Sequence, residues 1–364
     1  VGLRRRYTKG YTSARKGEIT MATGSASKLT RWRRCRKKAW YKDMKKIQRK
    51  VKSIAPTKGS LIHACLEEYY KGGDWTKPIK DFKPENYMEH VFDEERAEWV
   101  KLQDEAYRIM RGYIAAYKQV DSMHKTLTTE VRVEFPIRNH TFKGTIDRIY
   151  VDSDNIVWIQ DHKTASAIPQ ERELYLDFQT LMYFEACKYD KNVKKLIGNR
   201  TLGGVIFNHI RTKAPREPKL LKNGSISKAA CDTDVHTYFS TVKKHGLNPD
   251  DYVDMLPKLQ NNIFYKRTKI PINQQTIDQL IAEAEVTLLE VDMYKRKFDE
   301  QGEDAYRYFT RTMLKNRCSW DCEYYPICVA ELAGMKTETI LHDEYEPRDT
   351  RYDDEDFEEG DDEL

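Results

Sequence analysis

Between Leu127 and Asp161 apolar and polar positions alternate with period two, broken at Arg138-Asn139-His140 and at Asp152-Ser153-Asp154-Asn155. That alternation predicts three successive strands in an antiparallel meander, joined by Asx-rich turns. On either side the spacing is helical. Residues 25–50 set Leu29, Trp32 and Tyr41 among many basic positions behind a serine suited to capping, which predicts a basic helix. Residues 60–72 place Leu61, Cys65 and Leu66 on one side of a second helix, and 84–119 form a long charged helical stretch. After the meander, 170–188 return to helical period, 203–210 read as a strand, and the Lys-rich 212–230 read as a loop. A strand at 263–270 and a long amphipathic helix at 276–301 follow. This order predicts an α/β fold with a mixed central β-sheet flanked by helices.

Composition narrows the class. The 364 residues are 39% hydrophobic and 33% charged, with no apolar run approaching the roughly 18 residues of a spanning helix. The basic N-terminus lacks an apolar segment of the signal-peptide kind, so the reading is a cytoplasmic protein with no membrane partner. The net charge of +5 conceals a strong asymmetry. Residues 1–50 hold 18 Lys and Arg against Glu18 and Asp43, while 13 acidic residues from Asp343 onward face only Arg348 and Arg351. A basic end of that density suits a phosphate-backbone partner, or a solvated arm. The acidic end reads as disordered.

The strongest chemical signal is Gly144-Thr145-Ile146-Asp147-Arg148 followed, after the second turn, by Gln160-Asp161-His162-Lys163-Thr164. Alternation places Asp147 near the end of one strand and Asp161 at the end of the next, with Lys163 on the same face as Asp161. Phosphodiester cleavage needs such a set: oxygen ligands for Mg²⁺ or Mn²⁺, and a cation to offset charge in the transition state. Taken alone, Asp and Lys at strand ends also form ordinary surface ion pairs. Glu130 and Glu134, on the preceding strand, and Glu67 and Glu68 stay outside the candidate set, since exposed strand and helix faces often carry Glu.

These motifs resemble the PD-(D/E)XK nuclease superfamily, specifically its RecB-like branch, whose pattern is Gly-x-x-Asp-Arg, a hairpin, then Asp-x-Lys-Thr. The branch continues with Gln-x-x-x-Tyr on a following helix, matched by Gln179 and Tyr183, and carries an upstream Gly-x-x-x-His, matched by Gly59 and His63. The resemblance implies a restriction-endonuclease-like core. It further implies that His63, Asp147, Asp161 and the backbone carbonyl of His162 hold the metal, that Lys163 orients or activates the attacking water, and that Gln179 and Tyr183 position the lysine and the DNA strand. The implied activity is a metal-dependent DNA nuclease, an exonuclease on single strands or duplex ends, acting in DNA processing, recombination or repair. Helicase or recombination proteins are candidate partners, and the setting is a bacterial or phage-infected cell. The rival is a non-catalytic DNA-binding or recombination scaffold that keeps the fold.

Seven cysteines in such a chain are not a disulfide framework. Cys65, Cys187 and Cys231 read as buried thiols. Cys318, Cys322 and Cys328 lie within eleven residues, and Cys35 sits alone near the other end in a Ser-x-Leu-x-x-Trp-x-x-Cys context. Four soft ligands suffice for a tetrahedral zinc or an iron–sulfur cluster. The spacing resembles the cluster-bearing RecB-like nucleases, of the AddB type and of CRISPR-associated and phage exonucleases, which implies a [4Fe–4S] cluster stapling the C-terminus to the N-terminal helix. The Cys-x3-Cys step departs from their Cys-x2-Cys and leaves structural Zn²⁺ open. The resulting division is a basic disordered arm (1–24), a helical region with the first cluster Cys and the His motif (25–125), the nuclease core (126–310), a three-cysteine segment (311–335) and an acidic disordered tail (336–364).

Overall fold

The computed structural model describes residues 21–348 apart from 52, 90, 176 and 271. Among the described residues eight strands are formed: β1 (Thr23–Gly24), β2 (Ile47–Arg49), β3 (Lys125–Ile137), β4 (His140–Val151), β5 (Ile156–Ala165), β6 (Thr201–Arg211), β7 (Tyr265–Ile270) and β8 (Tyr345–Pro347). The main helices are α1 (Ala26–Arg34), α2 (Ile54–Lys71), α3 (Asp93–Asp121), α4 (Phe178–Tyr189), α5 (Val235–Lys244), α6 (Gln274–Gln301), α7 (Tyr325–Leu332) and α8 (Glu338–Glu344). Six strands make one mixed sheet. β3–β4, β4–β5 and β6–β7 are antiparallel, whereas β5–β6 and β1–β4 are parallel. Helices cover it on both sides, so the α/β core with a mixed central sheet is as the alternation predicts.

The two hydrophobic cores follow from strand alternation. Val133, Phe135, Ile149, Ile159 and Val205 pack with Leu181 and Met182 of α4 and with Ala284, Leu288 and Val291 of α6. Ile210, on the opposite parity of β6, joins Ile62, Leu66, Met110 and Tyr113 of α2 and α3. A third cluster, of Tyr238, Val242, Tyr252 and Met255, gives the segment between β6 and β7 a small core of its own.

One irregularity of the sheet places the site. Along its β5-facing edge β4 pairs with β1 at Thr141 and Phe142, and with β5 only from Arg148 to Val151. On that edge residues 143–147 pair with no described strand, while 143–146 stay paired with β3 on the other. The splayed edge exposes Asp147 beside the continuing β5, which runs on through Asp161 and Lys163 along β6. Asp147 therefore sits inside its strand rather than near the end, and a gap in pairing makes it available.

The cysteine-stapled C-terminus is corrected. All seven cysteines are free thiols, and no set of cysteine sulfurs gathers to ligand distance among the described residues. Cys328 Sγ instead accepts from Arg311 Nε at 3.2 Å, and Cys35 Sγ lies 4.0 Å from the Thr310 carbonyl. The two ends are joined by backbone and aromatic contacts. β2 pairs with β8, Lys37 N–H donates to Thr310 O, Tyr324 Oη donates to Ile47 O at 2.6 Å, and Trp40 packs on Phe309 with ring centroids 4.9 Å apart. A cluster or zinc on Cys35, Cys318, Cys322 and Cys328 is accordingly not carried forward. Part of the acidic tail is also structured, since Glu338–Glu344 is helical and Tyr345–Pro347 is the partner of β2. The remainder, 349–364, and residues 1–20 of the basic arm lie outside the described residues. No described helix is long and apolar enough to cross a membrane.

Candidate active site

Two glycines bring the helices onto the splayed strands. A Cβ on Gly59 would meet Thr164 Oγ1 at 2.9 Å, so the bare glycine lets the start of α2 approach the end of β5. One turn later α2 presents His63, whose Nδ1 lies 3.6 Å from Asp147 Oδ1. A Cβ on Gly144 would meet Tyr183 Cε1 at 2.4 Å, so the tyrosine ring lies directly on the open edge of β4. Asp177 caps α4 by accepting from Gln179 N–H and Thr180 N–H, which aims the first turn of that helix at the same place.

From there the side chains form a line of contacts. Gln179 Nε2 donates to Tyr183 Oη at 2.6 Å, and Gln179 Oε1 accepts from Lys163 Nζ at 2.9 Å. Lys163 Nζ donates to Asp161 Oδ1 at 3.3 Å and lies 3.0 Å from Oδ2. Oδ2 has no aligned donor although Asp161 is 3% exposed. Asp147 accepts from the His162 backbone N–H across the splay. The His162 ring, on the opposite face of β5 from Asp161 and Lys163, packs edge-on to His63 at 5.8 Å and stacks on Tyr70 at 5.6 Å, and its Nδ1 accepts from the Asn208 amide at 2.7 Å.

Electrostatics follow from burial and charge. Burial pushes the Asp161 carboxyl up, with Asp147 and Asp177 adding to the shift and Lys163 opposing it. Burial would lower Lys163, but the charges of Asp161 and Asp177 and the Asp161 hydrogen bond outweigh it, so the lysine is held as an ammonium. Burial also opposes ionisation of Asp147, yet His63 and His162 bring it below the usual carboxylate range. His63 is raised because Asp147, Asp161 and Glu130 overcome its desolvation. His162 is driven down to about 3 by burial and stays neutral. Behind it lies a buried ionic network: Arg267 reaches both oxygens of Asp121 at 2.7 and 2.8 Å, and Arg148 lies over the Tyr70 ring at 3.7 Å.

The structure thus gathers His63, Asp147, Asp161, Lys163, Gln179 and Tyr183 in one place. The sequence profile of the PD-(D/E)XK nuclease superfamily matches residues 23–329. The chain belongs to the PD-(D/E)XK nuclease superfamily.

Two solved structures are similar at a distance. The crystal structure of SSO0001 shares 13% identity over 87% of this chain and 89% of that one, with a TM-score of 0.30. A candidate exonuclease from Eubacterium rectale shares 15% identity over 70% of this chain and 92% of its own, with a TM-score of 0.32. Likeness this loose adds nothing to the superfamily assignment. No curated protein matches the chain.

Sequence reasoning left one residue out. Glu130 brings a carboxylate oxygen within 4.8 Å of ligand atoms of His63 and Asp147, and burial beside Asp147 pushes its carboxyl up to about 7. The signal was present in the turn. Ile137 pairs with His140, and counting back along that register sets Glu130 opposite Asp147.

Proposed function

We propose that this superfamily member is a RecB-like, divalent-metal-dependent deoxyribonuclease that hydrolyses phosphodiester bonds in single strands or at duplex ends. The observation that carries the reading is the contact line Asp161–Lys163–Gln179–Tyr183 beside the His63–Asp147 pair, at the one stretch of β4 left open on its β5 side. A binding scaffold has no need of that combination.

The donor chemistry fits a divalent cation. Asp161 Oδ2 is a buried acceptor without an aligned donor, 3.0 Å from Lys163 Nζ, and the His63–Asp147 pair adjoins it through the His162 backbone N–H that Asp147 accepts. His63, Asp147, Asp161 and the His162 carbonyl would hold Mg²⁺ or Mn²⁺, which when bound promotes water attack and offsets charge on the phosphate. Lys163, held as an ammonium, cannot serve as a base near neutral pH. Its part is to orient the water and to place a positive charge against the phosphoryl oxygens. Gln179 fixes the ammonium, and Tyr183 fixes Gln179.

A cleft of about 850 Å³ leads to this point. It is lined on the site side by Gly144, Thr145, Gln179 and Tyr183, and on the α1 side by Arg31, Arg34, Lys38 and Lys42. Basic residues beside such a channel suit a single nucleic-acid backbone. The test is digestion of single- and double-stranded DNA labelled at either end, in Mg²⁺ and in Mn²⁺. Metal-dependent shortening from a labelled or unlabelled end supports the reading and gives polarity. Retention of DNA without cleavage in either metal supports the scaffold instead.

A further inference from the structure

Glu130 lies in the interior of β3, between the paired positions Thr129↔Arg148 and Val131↔Ile146, directly across from Asp147. Its backbone is left-handed, with φ 45°, a conformation that a non-glycine residue adopts only where its surroundings impose it. The alternation of β4 breaks at the same level, since Ile146 and Ile149 both enter the core although they are three residues apart. The matched irregularities leave the Glu130 carboxylate, the Asp147 carboxylate and the His63 imidazole with ligand atoms mutually within 4.8 Å. Among the described residues no other group of His, Cys, Asp or Glu side chains does this.

Packing does not explain the arrangement. The Glu130 side chain forms no hydrogen bond or ion pair with any described residue, although it is half-buried next to a second carboxylate. Independently, the adjoining strand β5 carries a buried Asp161 oxygen that lacks an aligned donor, with Lys163 Nζ 3.0 Å away; the Asp161 charge raises His63, and the Asp147 charge raises Asp161. Two neighbouring strands thus each bring a carboxylate to one place, under a helix that supplies an imidazole, and Asp161 of the third strand borders it. Like charges at this spacing favour a cation between them, and mixed carboxylate and imidazole donors suit a first-row divalent ion.

We infer that Glu130 is a further ligand of the divalent cation, supplied by β3 in addition to His63, Asp147 and Asp161. The inference rests on the metal-dependent reading above. It also accounts for the strained backbone, which turns the carboxylate toward Asp147.

The test measures Mn²⁺ affinity of the full chain without DNA, by electron paramagnetic resonance of free Mn²⁺, for wild type, Glu130→Gln, Glu130→Gly and Asp147→Asn. Glu130→Gln and Glu130→Gly are each expected to weaken Mn²⁺ binding tenfold or more. Glycine accepts a positive φ without strain, so Glu130→Gly is expected to melt no lower than wild type while metal-free, which separates ligand loss from unfolding. Wild-type Mn²⁺ affinity in Glu130→Gln, or no Mn²⁺ binding by wild type, overturns the inference. Cleavage is scored separately. Glu130-dependent binding by a chain that cuts no DNA leaves the ligand standing and removes the nuclease reading, whereas cleavage with Glu130-independent affinity does the reverse.

Discussion

Replacing Gly144 by alanine inserts a single methyl group between β4 and Tyr183. The new Cβ would stand 2.4 Å from Tyr183 Cε1, where ordinary contact begins at 3.4 Å, so ring or strand must move by about 1 Å. The ring has little room, being buried against Phe142 with centroids 6.5 Å apart. Its hydroxyl accepts the 2.6 Å bond from Gln179, which in turn holds Lys163 at 2.9 Å. A shift of about 1 Å breaks the first bond and loosens the second. Overpacking of this kind costs about 1–3 kcal/mol of stability, and a misplacement of about 1 Å in a catalytic group costs on the order of 100-fold in rate. Urea titration and single-turnover cleavage of labelled DNA read the two effects separately. The double variant Gly144→Ala/Tyr183→Leu removes the collision but not the loss of the hydroxyl, so it is expected to regain stability and to remain slow. If Gly144→Ala alone cleaves at the wild-type rate, the ring does not position the lysine and the reasoning is refuted.

Acid sensitivity follows from His162. The unfolded chain binds a proton there below the ordinary 6.5 and the folded chain only near 3, so folding stability falls as pH drops through that window. At pH 5 the linkage amounts to about 2 kcal/mol, and urea midpoints of His162→Gln between pH 7 and pH 5 should fall correspondingly less than those of wild type. Arg267→Met leaves the buried Asp121 with Arg148 as its remaining guanidinium, at 3.5 Å. Breaking such a pair costs about 3–5 kcal/mol, and a loss below about 1 kcal/mol in urea titration would contradict the network. Tyr324→Phe removes the donor to Ile47 O at 2.6 Å. That contact helps close the chain ends, and its loss is expected to cost about 1 kcal/mol, read as a lower melting temperature.

Elements whose cause is local were legible in the sequence. The meander announced itself because one face of β3, β4 and β5 is buried, and the Asx turn at Asp152 is closed by its own carboxylate accepting from Asp154 N–H and Ile156 N–H. Asp161 and Lys163 came forward for the same reason, since alternation along β5 is a short-range rule, whereas His63 came forward through the family resemblance. Features set by distant pairing were not legible. That β1 and β5 share one edge of β4 and leave 143–147 open depends on a contact more than a hundred residues long in sequence. Glu130 looked like any polar residue on a strand because its role comes from register and a left-handed backbone. The cysteines misled by spacing, since no disulfide forms and no three of their sulfurs gather to ligand distance among the described residues.

The central claim, that Lys163 and Asp161 form part of a metal-dependent site that cuts DNA, is tested most directly by one rate. It is the single-turnover cleavage of labelled single-stranded DNA in Mn²⁺, compared between wild type and Lys163→Met, with DNA binding measured in parallel. Loss of the ammonium removes charge stabilisation at the phosphate, and the account predicts a fall of about 10²-fold or more with DNA affinity nearly retained. Cleavage by Lys163→Met at the wild-type rate, or no cleavage by the wild type with Mn²⁺ bound, would contradict it.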